Sequence, residues 1–172
     1  QMAGLNVVGV ETELIALSRA LAPQNQTVLL VDFGARSTDI AVVKNGQLTF
    51  TRTIPTAGEA FTRAVAQSLG VELSQAEEYK RAYGLSGSQL EGKVKVALDP
   101  IFRIVVEEMK KAIHFYQSEE KEEAPKSIIL SGGTAGMPEA ISLISKMMSL
   151  EVVIGNPFAK ISVDPEAAKS LA

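Results

Sequence analysis

Apolar residues fall along this chain in two rhythms. Val28-Leu29-Leu30-Val31 is a short apolar run, half of it β-branched, that stops at Asp32-Phe33-Gly34-Ala35, and Ile40-Ala41-Val42-Val43 starts after Arg36-Ser37-Thr38-Asp39. Two such runs joined by a short polar turn containing glycine predict a β-hairpin. Asn45-Gly46 marks a second tight turn into a third strand, Gln47 to Ile54, so a run of antiparallel strands is expected. Helical spacing appears at Leu14, Ile15, Leu17, Ala20 and Leu21, predicting a helix over Glu11 to Leu21, with a short strand before it at Asn6 to Val10.

The middle of the chain is helical in rhythm. Thr56-Ala57-Gly58-Glu59 leads into a helix with Phe61, Ala64, Val65 and Leu69 on one face, which Gly70 stops. Ser74-Gln75-Ala76-Glu77 has the form of a capping box opening a helix that ends near Gly84. Ser86 to Gly92 reads as a polar loop. A long helix follows, with Asp99-Pro100 at its start or as an irregularity within it, and with Ile101, Ile104, Val105, Met109, Ala112 and Phe115 as its apolar face. The charged run Glu119 to Glu123 reads as a solvated helix end. A buried strand, Ser127 to Leu130, then meets Ser131-Gly132-Gly133-Thr134-Ala135-Gly136. A helix opens at Met137-Pro138-Glu139 and runs to about Leu150, Val152 to Ile154 forms a last strand, and Asp164-Pro165-Glu166 begins one more helix.

Composition narrows the function classes. The 172 residues are 46% hydrophobic and 22% charged, the profile of a globular protein. A net charge of -3 without a long basic run argues against nucleic acid as a partner. With no cysteine, disulfides and thiolate zinc sites are excluded, which fits a reducing compartment. No apolar run approaches the roughly 20 residues that span a bilayer. The opening, QMAGLNVVGVETELIALSRAL, reads as the middle of a longer protein and not as a signal peptide.

Two stretches carry candidate chemistry. In Asp32 to Thr38, a carboxylate ends a strand and small or hydroxyl residues fill the turn. Glycine there lets backbone amides approach an anion, and an adjacent Asp suits a magnesium ion held through water. An ordinary hairpin turn also favours Asp, Gly and Ser. In Ser131 to Gly136, glycines between a strand and a helix leave backbone bare for a flat ligand or a phosphate, although plain turn chemistry uses the same residues. The stretch lacks the Lys-Ser/Thr ending of a Walker loop, and the meander before it is not a dinucleotide-binding βαβ unit.

Taken together, the two stretches resemble motifs of the actin-like ATPase superfamily. Asp32-Phe33-Gly34-Ala35-Arg36-Ser37-Thr38 is similar to its second phosphate motif and Leu130-Ser131-Gly132-Gly133-Thr134-Ala135 to its adenosine motif. Gly58-Glu59-Ala60-Phe61-Thr62, Ala76-Glu77-Glu78-Tyr79-Lys80 and Gly84 resemble the FtsA/PilM branch. So do Ala3-Gly4-Leu5, Glu11, Ala16-Leu17, Gly155-Asn156-Pro157-Phe158 and Val163-Asp164-Pro165.

The resemblance implies an α/β fold: an actin-like (ribonuclease-H-like) domain with a mixed sheet and a mostly helical insertion, half of a two-domain ATPase. It implies a linking segment over 1–26, sheet regions over 27–60 and 125–172, and the insertion over 61–124. It further implies that ATP and Mg2+ are the cofactors. Asp32 would position the metal through water, Gly34, Ala35, Ser37 and Thr38 would line the phosphates, and Gly132, Gly133 and Thr134 would contact adenosine or its phosphates. Glu77 and Lys80 would reach ribose and adenine, unless Glu77 serves the capping box. Glu11 aligns with a position that orients attacking water, and an acidic residue near a helix start also suits the helix dipole. His114 reads as a surface residue.

Because the first phosphate motif lies on the other domain of such proteins, this chain alone is expected to bind nucleotide weakly and to hydrolyse none. The implied setting is type IV pilus assembly, cytoplasmic and peripheral to the inner membrane. The implied partners are the chain's own first domain and the N-terminal tail of an inner-membrane platform protein, met mainly by that domain. An FtsA-like role in cell division and a nucleotide-stabilised scaffold without turnover are the alternatives.

Overall fold

The computed structural model describes Gly4, residues 6–121 and residues 124–161. Ala3, Leu5, Val163-Asp164-Pro165 and the helix expected after Asp164 lie outside the described residues. The strands β1 (Thr27–Phe33), β2 (Thr38–Lys44), β3 (Gln47–Ile54), β4 (Ser127–Ser131) and β5 (Glu151–Ile154) form one sheet in the order β3-β2-β1-β4-β5. β1, β2 and β3 are antiparallel neighbours, while β4 runs parallel to β1 and β5 parallel to β4. Asn45 and Gly46 take the β2–β3 turn at φ 51° and 75°, the left-handed pair that a two-residue hairpin of this twist requires.

β1 is the central strand and is buried on both faces. Its alternation sends Leu29, Val31 and Phe33 into the larger core and Val28 and Leu30 into the smaller one, with Asp32 in step with the second set. The smaller core is covered by α1 (Glu13–Leu21), through Leu14, Leu17 and Leu21. Lys160 donates to the carbonyls of Arg19 and Ala22 at 2.9 and 2.8 Å, satisfying orphaned groups at the end of α1. Asn6 to Val10, expected as a strand, is irregular, and Val8 and Val10 are exposed.

The larger core lies under α2 (Gly58–Leu69), α3 (Leu73–Tyr83), α4 (Lys93–Glu120) and α5 (Ala140–Met148). Gly70 ends α2 at φ 66°, as its position predicts. The expected capping box does not form. α3 starts at Leu73 with Glu72 as its cap residue, Ser74 already lies inside the helix, and Glu77 is bonded elsewhere.

α4 continues through Pro100. Val105, Met109 and Ala112 are buried as expected, but Ile104 is 54% and Phe115 50% exposed. The buried stripe is Val94, Leu98, Phe102, Val105, Met109, Ala112 and Tyr116, a steady three- or four-residue step, with Val106 beside it. Ile104 lies about 100° around the helix from Val105 and so misses that stripe. Phe115 instead packs beside Phe50 of β3, ring centroids 5.4 Å apart. Pro138 does not open α5. It precedes Glu139, which caps the helix at φ 64°, and a series of turns fills the chain from Gly132.

Candidate nucleotide site

Both glycine stretches leave the sheet at the carboxyl ends of two adjacent parallel strands, the end at which α/β sheets receive ligands. The register sets Asp32 opposite Ser131, and the Ser131 hydroxyl donates to Asp32 Oδ1 at 2.8 Å. Asp32 is only 8% exposed.

Three loops are laced together just beyond. The Thr134 amide donates to the Phe33 carbonyl at 3.0 Å and its hydroxyl to the Gly34 carbonyl at 3.0 Å. Gly58 and Glu59, opening α2, donate their amides to Gly34 and Ala35 carbonyls at 3.1 and 2.8 Å. A side chain at Gly58 would stand 2.7 Å from Thr134 Oγ1, and one at Gly132 would stand 2.6 Å from the Phe33 backbone and 2.7 Å from Asp32 Oδ1. Glycine at these two positions is therefore what lets the loops close on one another.

Above the laced loops lies a cavity of about 640 Å³ lined by Gly34, Ala35, Gly58, Glu59, Glu77, Lys80, Arg81, Gly133, Thr134, Gly136 and Met137. Lys80 reaches down from α3, 6% exposed, and its Nζ donates to the Gly58 carbonyl (3.2 Å), Thr62 Oγ1 (3.0 Å) and Glu77 Oε2 (2.6 Å). Arg81 Nε donates to Glu77 Oε1 at 2.8 Å. The α2 and α3 contributions thus form one hydrogen-bonded unit with Glu77 at its centre.

Asp32 does not line this cavity. It lines two grooves flanking α1, of about 430 and 530 Å³, and Glu13 lines both with it. Gly133 and Gly136 line both the large cavity and the second groove, so a low glycine ridge joins the two sides. Gly132 belongs to that groove. Ser37 donates to Asp39 Oδ2 at 2.8 Å, and Thr38, fully buried, donates to the Thr56 carbonyl at 2.7 Å. Neither lines the cavity. Glu11 precedes α1 and is held by Arg19 through two hydrogen bonds, which keep its carboxyl below the usual range. His114 is exposed on α4.

A family model described as type IV pilus assembly protein PilM matches residues 3–172. The chain belongs to the PilM family.

This PilM-family domain has the actin-like fold. It is similar to a protein in the solved PilM-PilN type IV pilus biogenesis complex, at 25% identity and a TM-score of 0.80 over 96% of this chain and 47% of that one. It is similar to the cell division protein FtsA of Pseudomonas aeruginosa, 26% identical over 91% of this chain and 43% of the relative. At 17% identity, MreB 5 of Spiroplasma citri bound to AMPPNP shares the fold, with a TM-score of 0.66 over 82% of this chain and 52% of the other. The chain spans less than half the length of that FtsA relative.

Gly58 and Thr62 lie in a stretch that resembles the branch, but no contact was assigned to either, and Arg81 and Glu13 were not singled out at all. Arg81 had a usable signal, standing four residues after Glu77 at ion-pair spacing. Glu13 had none, because it meets Asp32 only through the packing of α1.

Glu77 makes the site sensitive to acid. Burial alone would push its carboxyl up, but hydrogen bonds from Lys80, Thr62 and Arg81 and the charge of Lys80 outweigh it and hold the group at about 2, against an ordinary 4.5. A carboxylate depressed in the folded state adds stability above its unfolded value and loses it as pH falls toward the folded one. Glu77→Gln is expected to flatten the dependence of the urea midpoint on pH between about 4.5 and 2. A wild-type slope in Glu77→Gln over that window would show that other carboxylates carry it.

Proposed function

We propose that this domain supplies one wall of an Mg-ATP site within a PilM-like pilus assembly protein. The observation that carries the reading is the glycine ridge. On one side lies a cavity large enough for adenosine, walled by Glu77 and Met137, and on the other lies the Asp32 carboxylate. A nucleotide laid across Gly133 would put its base and ribose among Gly58, Glu77, Gly136 and Met137 and its phosphates toward Gly34, Ala35 and Asp32.

The donor set fits magnesium. Among the described residues no group of three metal-ligating side chains exists, and Mg2+ characteristically takes one or two carboxylates, several waters and phosphate oxygens. Bound there, the ion would neutralise phosphate charge, while Ser131 holds Oδ1 of Asp32 and leaves Oδ2 for a metal-bound water. Lys80 and Arg81 act through Glu77, fixing its carboxylate in place.

In the full-length protein the opposite wall would come from the preceding domain, as a relative in the PilM-PilN complex of about twice this length suggests. Partner binding to the tail of an inner-membrane platform protein, on the cytoplasmic side, is part of the same proposal. Among the described residues no helix is long and apolar enough to cross a membrane. A structural role for ATP, without turnover, is favoured by one observation: Glu11, the candidate for orienting water, lines neither the cavity nor the two grooves beside α1. Phosphate release by the intact protein, assayed with and without partner, separates the two.

Calorimetric titration of the full-length protein tests the site itself. Asp32→Ala is expected to weaken ATP binding by about tenfold in magnesium and little in chelator, one lost charge-mediated contact being worth about 1.4 kcal/mol. Unchanged magnesium-dependent affinity in Asp32→Ala would remove the assignment of the hairpin to the phosphates.

A further inference from the structure

The geometry points to Arg36, at the tip of the β1–β2 turn, as a phosphate ligand that Glu59 holds in reserve. This inference rests on the nucleotide reading above and names a residue for it. Charge balance at the cavity gives the first argument. Its lining carries two carboxylates, Glu59 and Glu77, and two cations, Lys80 and Arg81. Lys80 is buried and spends its donors on Glu77, Thr62 and the Gly58 carbonyl, while Arg81 gives Glu77 its Nε alone. The lining therefore offers a polyphosphate no net positive charge.

Arg36 stands one residue beyond Ala35, which lines the cavity, and its side chain is 89% exposed. Among the described residues its side chain makes one bond, Nε to Glu59 Oε1 at 3.3 Å, long for a charge-assisted contact. Glu59 is also half exposed and has a second cation within reach, Arg63 at 3.5 Å. An exposed pair of this length is worth little, so releasing Arg36 costs little, and Arg63 remains to hold Glu59 afterwards. The turn itself is anchored, because Gly34 and Ala35 carbonyls accept from Gly58, Glu59 and Thr134. A mobile guanidinium therefore swings from a fixed base beside the glycines that would carry the phosphates. Its planar fork suits two phosphate oxygens at once.

Arg36→Ala in the full-length protein, titrated with Mg-ATP and with adenosine, tests this. The expected result is an affinity for ATP about tenfold weaker and an affinity for adenosine unchanged, since adenosine carries no phosphate. Glu59→Gln is expected to strengthen ATP binding about twofold to threefold by releasing the guanidinium, and Glu59→Gln combined with Arg36→Ala to lose that gain. If wild type binds both ligands and Arg36→Ala binds ATP as tightly as wild type, the role of Arg36 is overturned while the nucleotide site stands. A loss shared equally by ATP and adenosine would overturn it too, as a general disturbance of the turn. If wild type binds neither ligand, the nucleotide reading fails and this inference goes with it.

Discussion

Gly132→Ala is expected to destabilise the domain by about 2 to 4 kcal/mol and to lower Mg-ATP affinity in the full-length protein. Two costs add. Gly132 sits at φ 87°, where a side chain is strained by about 1 kcal/mol or more. The new methyl would also lie 2.6 Å from the Phe33 carbonyl carbon and oxygen, which are backbone of the central strand and cannot step aside. Forcing an atom into packed surroundings costs about 1 to 3 kcal/mol, and here the displaced groups include Asp32 Oδ1. Gly133→Ala is the matched control. Nothing lies within 4 Å of the methyl that it would carry, so its stability should stay within about 0.5 kcal/mol of wild type. Urea denaturation measures both, and equal midpoints for the two variants would mean that the β1–β4 seam is looser than its contacts indicate.

Lys80→Met is expected to cost about 2 to 3 kcal/mol. The ammonium donates to three acceptors, and its loss leaves Glu77 Oε2 and the Gly58 carbonyl competing for one side-chain donor, while Arg81 keeps only Oε1. That donor is the Thr62 hydroxyl, which lies 2.5 Å from Glu77 Oε2 and 2.9 Å from the Gly58 carbonyl but has a single proton. Breaking one partner of a fully buried pair costs more, but Glu77 is about a third exposed and water relieves part of the loss. Without Lys80 the Glu77 carboxyl should also titrate closer to its ordinary value. Lys80→Met combined with Glu77→Gln should recover part of the stability, because no half-buried carboxylate is then left short of a donor and the Arg81 that loses its partner is exposed to water. A double variant as unstable as the sum of the two singles would show that Lys80 acts by packing alone.

Turn and strand chemistry was legible because it is local. Asn45-Gly46, the apolar runs on either side of Asp32 and Gly70 each express a backbone preference of a few neighbouring residues, and the structure keeps them all. The capping box at Ser74 failed for the opposite reason. Its pattern is real, but Glu77 gains more from Lys80, Thr62 and Arg81 than from a helix end, and two of those partners were not weighed against it. On α4 the apolar residues outnumber the positions one face can bury, so Ile104 and Phe115 were assigned to the core when the regular stripe through Leu98 and Tyr116 had already filled it.

The sequence by itself determined most of the elements and the two glycine-bearing turns, since each depends on spacings of a few residues. Only the tertiary structure decided how they meet. Ser131 reaches Asp32 and Thr134 reaches Gly34 across separations of 99 and 100 residues, distances over which no local preference acts. The parallel pairing of β1 with β4 makes those contacts. The alternation of β1 then sends Asp32 to the α1 side, while Lys80 and Glu77 stay with the helices above, so the candidate site became two chambers joined by a glycine ridge.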